Sequence, residues 1–465
     1  MPQSTSDPKS FPKAKKNYLN LFFFLASIAI VVLILPRGVR ENNLAFAGSI
    51  IVVSSCYIVL YLFLWQFRRE VLEVVRKTLF IILSILSLLL ITRYVLDNYD
   101  RTTLFLIPFA LIPVVIRTFY DARLALFVHL ITIILAGFMV PEPFVLIFMS
   151  FISGIVAIFT LTNIYKRTRL LFAAFMVFLT YSVLYCGTSL MFNGNISDIE
   201  WTTFIIFAGN GILVLISFPL IFLFENKFLL LSDTTLLQLA DTNQPLLRKL
   251  AEEAPGSFQH SLQVANLAEE AARVTGSNML LVKTGALYHD IGKVANPAYF
   301  IENQVEGLSI HTDLDPRESS KLIINHVRNG VNLAKNYKVP IQIIDFIRTH
   351  HGTTVAYFFY KKYLDQHPGI SGVEKEFAYP GPKPFSKETA VVMMADAVEA
   401  SSRSLDKYTE ESISELVERI LYIQEQDGQY AGAPLTFKNI SDIKEVFKKR
   451  LSNIYHVRIA YPERG

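Results

Sequence analysis

The sequence predicts an all-α protein in two parts: a polytopic transmembrane bundle of about eight spans, then a soluble all-α domain. Three observations carry this. Residues 18–224 are one apolar run after another, while residues 225–465 have the composition of a soluble domain. No run alternates apolar and polar residues convincingly over five positions, so sheet content is expected near zero. At 465 residues two or more domains are expected, and 52% hydrophobic residues with 36 Phe exceed what an ordinary soluble protein carries. A net charge of +4 without a basic, aromatic-laced stripe argues against a nucleic-acid polymer as partner. Cys56 and Cys186 both lie in apolar segments, with no disulfide framework and no zinc spacing, and read as packing residues.

Residues 1–17, with Lys9, Lys13, Lys15 and Lys16, read as a disordered basic N-terminus. The run at 18–36 is long for a signal peptide and lacks a small-residue cleavage site after it, so it reads as an anchor. Further runs at 44–67, 79–95, 103–117, 123–140, 143–164, 170–192 and 202–224 are mostly close to the length a hydrocarbon core of about 30 Å requires, with 103–117 the shortest. With the N-terminus cytoplasmic, the inner loops carry Arg68, Arg69, Arg76, Lys77, Arg117, Arg123, Lys166, Arg167 and Arg169. The outer loops carry Arg37, Arg40 and Arg101, with Arg93 near the outer end of its span. That is the positive-inside bias, and eight spans leave everything after Glu225 cytoplasmic. Trp65 and Trp201 sit where interfacial belt residues belong. His129 and Asn210 are the polar residues of note within the spans. His129 lacks an evident carboxylate partner and reads as an interhelical hydrogen bond.

Residues 225–252 form a helical linker, interrupted between Asp241 and Pro245, and residues 253–465 form the second domain. Pro255-Gly256-Ser257 opens a helix carrying His260. A second helix closes on His289-Asp290. Asp315-Pro316-Arg317-Glu318 starts the helix bearing His326, with Asp at N-cap, Pro at N1 and Glu at N3. Pro340 starts one ending at His350-His351-Gly352. Residues 367–385 read as a loop, and Ser386 caps the helix bearing Asp396.

Of nine histidines, five fall within this constellation, while His311, His367 and His456 read as surface or loop residues. Imidazole and carboxylate without thiolate suit Fe, Mn, Zn or Ni rather than a structural zinc site. Seven donors are too many for one tetrahedral ion and about right for two divalent ions sharing a carboxylate. Asp290 is the natural bridge. His260, His289 and Asp396 complete one shell, and His326, His350 and His351 the other. Two such ions about 3.5–4 Å apart can hold a bridging hydroxide and clamp a phosphodiester oxygen. Lys293, one turn beyond the pair, and Arg403, two turns after Asp396, are placed to neutralise phosphate charge.

His260, His289-Asp290-Ile291-Gly292-Lys293, His326, His350-His351 and Asp396 resemble the HD-domain metal-dependent phosphohydrolases in their two-metal form. An HD domain behind a multi-span bundle is similar, more narrowly, to the seven-transmembrane HD family of bacterial cyclic di-AMP phosphodiesterases. The phrases Leu239–Leu247, Ala254-Pro255-Gly256-Ser257-Phe258-Gln259-His260-Ser261 and Pro297-Ala298-Tyr299-Phe300-Ile301-Glu302-Asn303-Gln304 resemble those of that family. The resemblance implies a di-iron or di-manganese centre on the seven residues and hydrolysis of cyclic di-AMP to 5′-pApA by the metal-bridging water. Asp290 and Lys293 would be catalytic, with Lys293, Arg403 and Tyr357 toward substrate. The run Tyr357-Phe358-Phe359-Tyr360 can stack an adenine or simply pack in the core. Related cyclic di-GMP phosphodiesterases follow the double His with Gly-Tyr-Pro, where this chain has Gly352-Thr353-Thr354. Family members carry a sizeable extracellular domain after the first span, where this chain has only Arg37–Asn43, so the extracellular sensing role lacks its expected part. Turnover of another cyclic nucleotide or nucleoside polyphosphate, or a non-catalytic nucleotide receptor, are the competing readings. A homodimer is expected from the frequency of two-fold oligomers.

Overall fold

Long apolar runs satisfy their backbone polar groups internally only as helices, and the computed structural model has helices at each of them. It describes residues 13–161, 167–304 and 310–455; His456 and Lys166 fall outside these. The chain divides into two compact units, Met1–Thr234 and Thr235–Gly465.

In the first unit, six helical segments are long and apolar enough to cross a membrane: Asn43–Phe67, Val75–Asn98, Arg101–Phe119, Pro143–Thr160, Thr168–Asn193 and Trp201–Phe228. Tyr18–Ile34 and Ala122–Gly137 are shorter apolar helices. All eight coincide with the runs read from the sequence. One expectation needs correcting: the basic N-terminal stretch is not wholly disordered, since the first helix already begins at Lys13. Residues 1–12 lie outside the described part.

The 103–117 run is weak for a visible reason. Pro108 lacks an N–H, and the segment breaks into a 3₁₀ turn, Arg101–Leu106, and a helix, Leu111–Phe119. Asn210 repairs the break by donating from Nδ2 to the carbonyls of Phe105 and Ile107, at 2.7 and 3.0 Å. His129 pairs with the Ser150 carbonyl at 2.9 Å on the neighbouring helix. Gly154 makes room for its ring, because a side chain there would strike it.

Among the described residues of the second unit the regular structure is helical, joined by loops such as 378–386, apart from one isolated bridge, Val355 to Ala378. The linker forms two short helices, Asp233–Leu239 and Pro245–Glu253. Its middle docks on the helix Met279–Tyr288: Thr284 Oγ1 donates to the Leu236 carbonyl and Tyr288 Oη to that of Leu239. At the centre lies Pro255–Thr275, packed on Met279–Tyr288, Lys387–Ser402 and Phe437–Ile454. Small residues permit these close crossings; Gly285, for instance, lies flat against the Phe346 ring. Lys387–Ser402 is buried along most of its length, from Thr389 to Asp396 without interruption, and starts on a Ser386/Thr389 capping box. Asp315 caps Pro316–Asn336 by accepting from the Arg317 N–H at 2.8 Å.

Candidate metal centre

Five helix-borne segments meet at one point. His260 comes from the second turn of Pro255–Thr275. His289 is the C-cap of Met279–Tyr288, and Asp290 opens the 3₁₀ turn Ile291–Ala295. His326 lies mid-helix, His350 and His351 follow Ile341–Thr349, and Asp396 lies in Lys387–Ser402. The structure brings all seven sequence-nominated donors together.

They form overlapping groups whose donor atoms lie within 4.8 Å of one another: His260, His289 and Asp396; His326, His350 and His351; and His289, Asp290 and His350. Asp290 stands between the first two. Its Oδ2 is 3.2 Å from His289 Nε2 and 3.6 Å from His260 Nε2. Its Oδ1 is 3.3 Å from His326 Nε2 and 3.6 Å from His350 Nε2. Asp396 reaches His260 at 2.9 Å, His289 at 3.5 Å and His351 at 3.7 Å.

The proton positions test whether this set suits a cation. His289, His326 and His350 each place Nδ1 on the backbone carbonyl three residues upstream, at 2.6, 2.7 and 2.8 Å. A ring that donates from Nδ1 presents a lone pair at Nε2 when neutral. Yet His326 Nε2 and His350 Nε2 face each other at 3.1 Å. Two lone pairs converging on one point repel unless a positive charge lies between them. Buried His289 Nε2 and Asp290 Oδ1 also have no hydrogen-bond partner. Oxygen and imidazole donors of this kind fit divalent transition ions.

The protonation pattern agrees. Burial lowers the pKa of His326 and His350, holding both neutral. At His289 burial acts the same way, but the nearby charges of Asp290 and Asp396 outweigh it, pushing the pKa up to about 10. At His260 burial is likewise overcome, by Asp396 and Glu399, and the pKa rises. Burial would raise both carboxyls. Instead the His289 and Lys293 charges hold Asp290 well below its usual range, and the bond from His260 with the charge of His289 does so for Asp396. Both acids are therefore ionised.

Lys293 stands nearer the centre than a surface phosphate contact would. Its Nζ bridges Asp290 Oδ2 at 2.8 Å and Glu302 Oε1 at 2.7 Å, over the Phe300 ring. Glu302 also accepts from Ser257 Oγ at 2.8 Å, while Asn303 accepts from the Ser257 N–H at 3.1 Å. Two of the three phrases noted in the sequence, around Ser257 and Glu302, are thus one docked pair, and a side chain on Gly256 would collide with the Glu302 carbonyl. Gly292 is held as tightly: a Cβ there would strike the His326 carbonyl and the Gly330 amide.

The donors open on a cleft of about 750 Å³ lined also by Ile301, Tyr357, Arg403, Ile423 and Gln424. Tyr357 is 66% exposed on its wall, whereas Tyr360, in the same aromatic run, packs on Phe377. Arg403 is not free: it donates twice to Glu399 Oε1, at 3.0 and 2.6 Å. His351 lies 4.1 Å, ring to ring, from Tyr379.

Three residues escaped the sequence reading. Glu399 accepts from His260 Nδ1, Glu302 holds Lys293, and Gln429 holds the turn after the double His by accepting from the Thr353 N–H at 3.1 Å. Glu399 lies three residues after Asp396, a helical spacing that was available as a signal. His311 is also not a surface residue: it is buried, bonded to the Tyr299 carbonyl at 2.8 Å and packed on Phe359.

Residues 43–232 match the family model described as "7TM receptor with intracellular HD hydrolase", and residues 257–401 match that of the HD domain. The chain is 34% identical over 443 residues to the cyclic-di-AMP phosphodiesterase PgpH of Bacillus subtilis (strain 168), covering 92% of this chain and 62% of that one. It is 31% identical over 456 residues to PgpH of Listeria monocytogenes serotype 1/2a (strain 10403S), covering 96% and 59%. It thus spans about three fifths of the length of these curated relatives. The solved HD domain of L. monocytogenes phosphodiesterase PgpH in complex with cyclic-di-AMP is 40% identical, covers 46% of this chain and 100% of that one, and aligns with a TM-score of 0.45. The two matches lie in tandem along the chain: the region found in seven-transmembrane receptors with an intracellular HD hydrolase, then an HD domain.

Proposed function

We propose that the chain is a metal-dependent phosphodiesterase of a bacterial inner membrane that hydrolyses cyclic di-AMP to 5′-pApA. One observation carries this: two donor groups, His260/His289/Asp396 and His326/His350/His351, stand on either side of Asp290, one carboxylate oxygen toward each. The relatives named as cyclic-di-AMP phosphodiesterases support the choice of substrate. The basic bias of the loops supports an N-terminus and an HD domain on the cytoplasmic side.

Two divalent ions, Fe or Mn, would be held by the seven donors. When bound they supply Lewis-acid polarisation of a phosphoryl oxygen and a water acidified enough to attack it. The protein's own groups do the rest. Lys293 fixes the orientation of Asp290 and keeps a positive charge beside the site where phosphate must lie. Arg403 offers the outer face of its guanidinium to the cleft, and Tyr357 offers a ring on which a purine can stack. A product bearing a 5′-phosphate requires rupture of the P–O3′ bond, with the attacking oxygen in line opposite O3′.

The test is turnover by the purified chain loaded with Mn²⁺ or Fe²⁺. Conversion of cyclic di-AMP to pApA, lost in His289→Ala, is expected. Equal or better turnover of a cyclic mononucleotide or nucleoside polyphosphate at the same concentration would overturn the substrate assignment. Tight nucleotide binding without product over hours would overturn the enzyme.

A further inference from the structure

The four most deeply buried site histidines are not held alike. His289, His326 and His350 rest their Nδ1 on main-chain carbonyls of their own segments. His260 alone rests it on a side-chain carboxylate, Glu399 Oε2, which comes from a helix 139 residues away. Glu399 is 5% exposed, and its second oxygen is fully used: Arg403 binds Oε1 through both Nε and Nη2. A chain of three side chains therefore runs from the cleft wall through Arg403 and Glu399 to His260.

We infer that Glu399 is a positioning residue that makes the two ion positions unequal, and that the His260/His289/Asp396 position is the tighter one. The inference rests on the metal-centre reading above. A carboxylate behind a ligating imidazole fixes its tautomer and strengthens its donation, and losing such a partner typically costs about 10–100-fold in metal affinity. The charge count points the same way. The first group has the Asp396 carboxylate at hand and the Glu399 carboxylate behind it. The second has three histidines, and Asp290 is common to both. Arg403 pairs with Glu399 in its buried place and fixes which oxygen faces His260. A glutamine at 399 has one acceptor oxygen where glutamate has two, so it cannot serve Arg403 and His260 together.

The experiment is Mn²⁺ titration of the full chain and of Glu399→Gln and Glu399→Asp, reading free Mn²⁺ by electron paramagnetic resonance and bound metal by elemental analysis. Two ions are expected in the unaltered chain. In E399Q, affinity for the tighter ion falls about 10–100-fold and the weaker one is unchanged, with partial recovery in E399D. Melting curves matching the unaltered chain show that E399Q is folded. If E399Q takes up both ions with unaltered affinity, or weakens both equally, the inference fails and the metal centre stands. If the unaltered chain takes up no Mn²⁺, the metal centre fails and this inference with it.

Discussion

Buried histidine means opposite things in the two units. His129, fully buried, spends Nε2 on the Ser150 carbonyl across a helix pair and makes no ion pair among the described residues. His289, equally buried, spends Nδ1 locally and turns Nε2 toward two ionised carboxylates. Burial and residue type are the same. What separates a packing histidine from a ligand is which nitrogen is left over, and whether other leftover donors face it.

That contrast can be broken most forcefully at Asp290. Asp290→Asn should remove both ions and all turnover, because an amide cannot present an anionic oxygen to each group. Asp396→Asn should weaken mainly the first ion, by more than the roughly 10–100-fold that losing an outer-shell partner costs. Elemental analysis of the two variants would separate them; equal metal content would refute the bridging role.

Chelation comes next. A ligand bound at 100 times its Kd stabilises by about 2.7 kcal/mol. Stripping metal should therefore lower the melting temperature of the Thr235–Gly465 unit and leave that of the Met1–Thr234 unit where it was.

A smaller effect follows from protons. Without metal, His289 holds a proton with a pKa of about 10, and that proton must leave before Nε2 can donate. Affinity for Mn²⁺ should thus climb about tenfold per pH unit up to that value, instead of levelling near 6.5 as an unperturbed imidazole would. The linkage has a matching sign in the metal-free protein. Because the folded pKa is raised, the His289 contribution to stability is complete below the unfolded value and is lost as pH rises toward 10. Titration of metal affinity and of metal-free stability against pH checks both.

The mildest prediction is His129→Gln. It should cost about 0.6 kcal/mol, the typical worth of one interhelical hydrogen bond in a membrane, with metal content unchanged. Loss of metal in this variant would show that the membrane histidine acts on the site after all.

Much of this was legible in the sequence because it lay in runs and in rare residues. Apolar runs mark the helices by length alone, and histidine is scarce enough that His350-His351 stands out. The supporting groups were harder to read because their meaning depends on what comes near in space. Glu399 is an ordinary helical glutamate until the fold sets it beside His260, and Gln429 becomes a clamp only when Thr353 arrives from another loop. His311 lies where short 3₁₀ turns replace helix, so no periodicity announced its burial. The helix begun at Lys13 reflects the other limit, since four lysines in a polar stretch resemble a tail until an apolar run pulls the preceding turn into register.

Gly292 has a consequence for how the centre keeps its dimensions. A side chain on it would run into the main chain at His326 and Gly330, so the segment carrying Asp290 and the helix carrying His326 approach backbone to backbone. Any larger residue would act as a wedge there. The spacing between the Asp290 segment and the His326 helix is consequently set by peptide geometry, which side-chain rotamer changes do not alter.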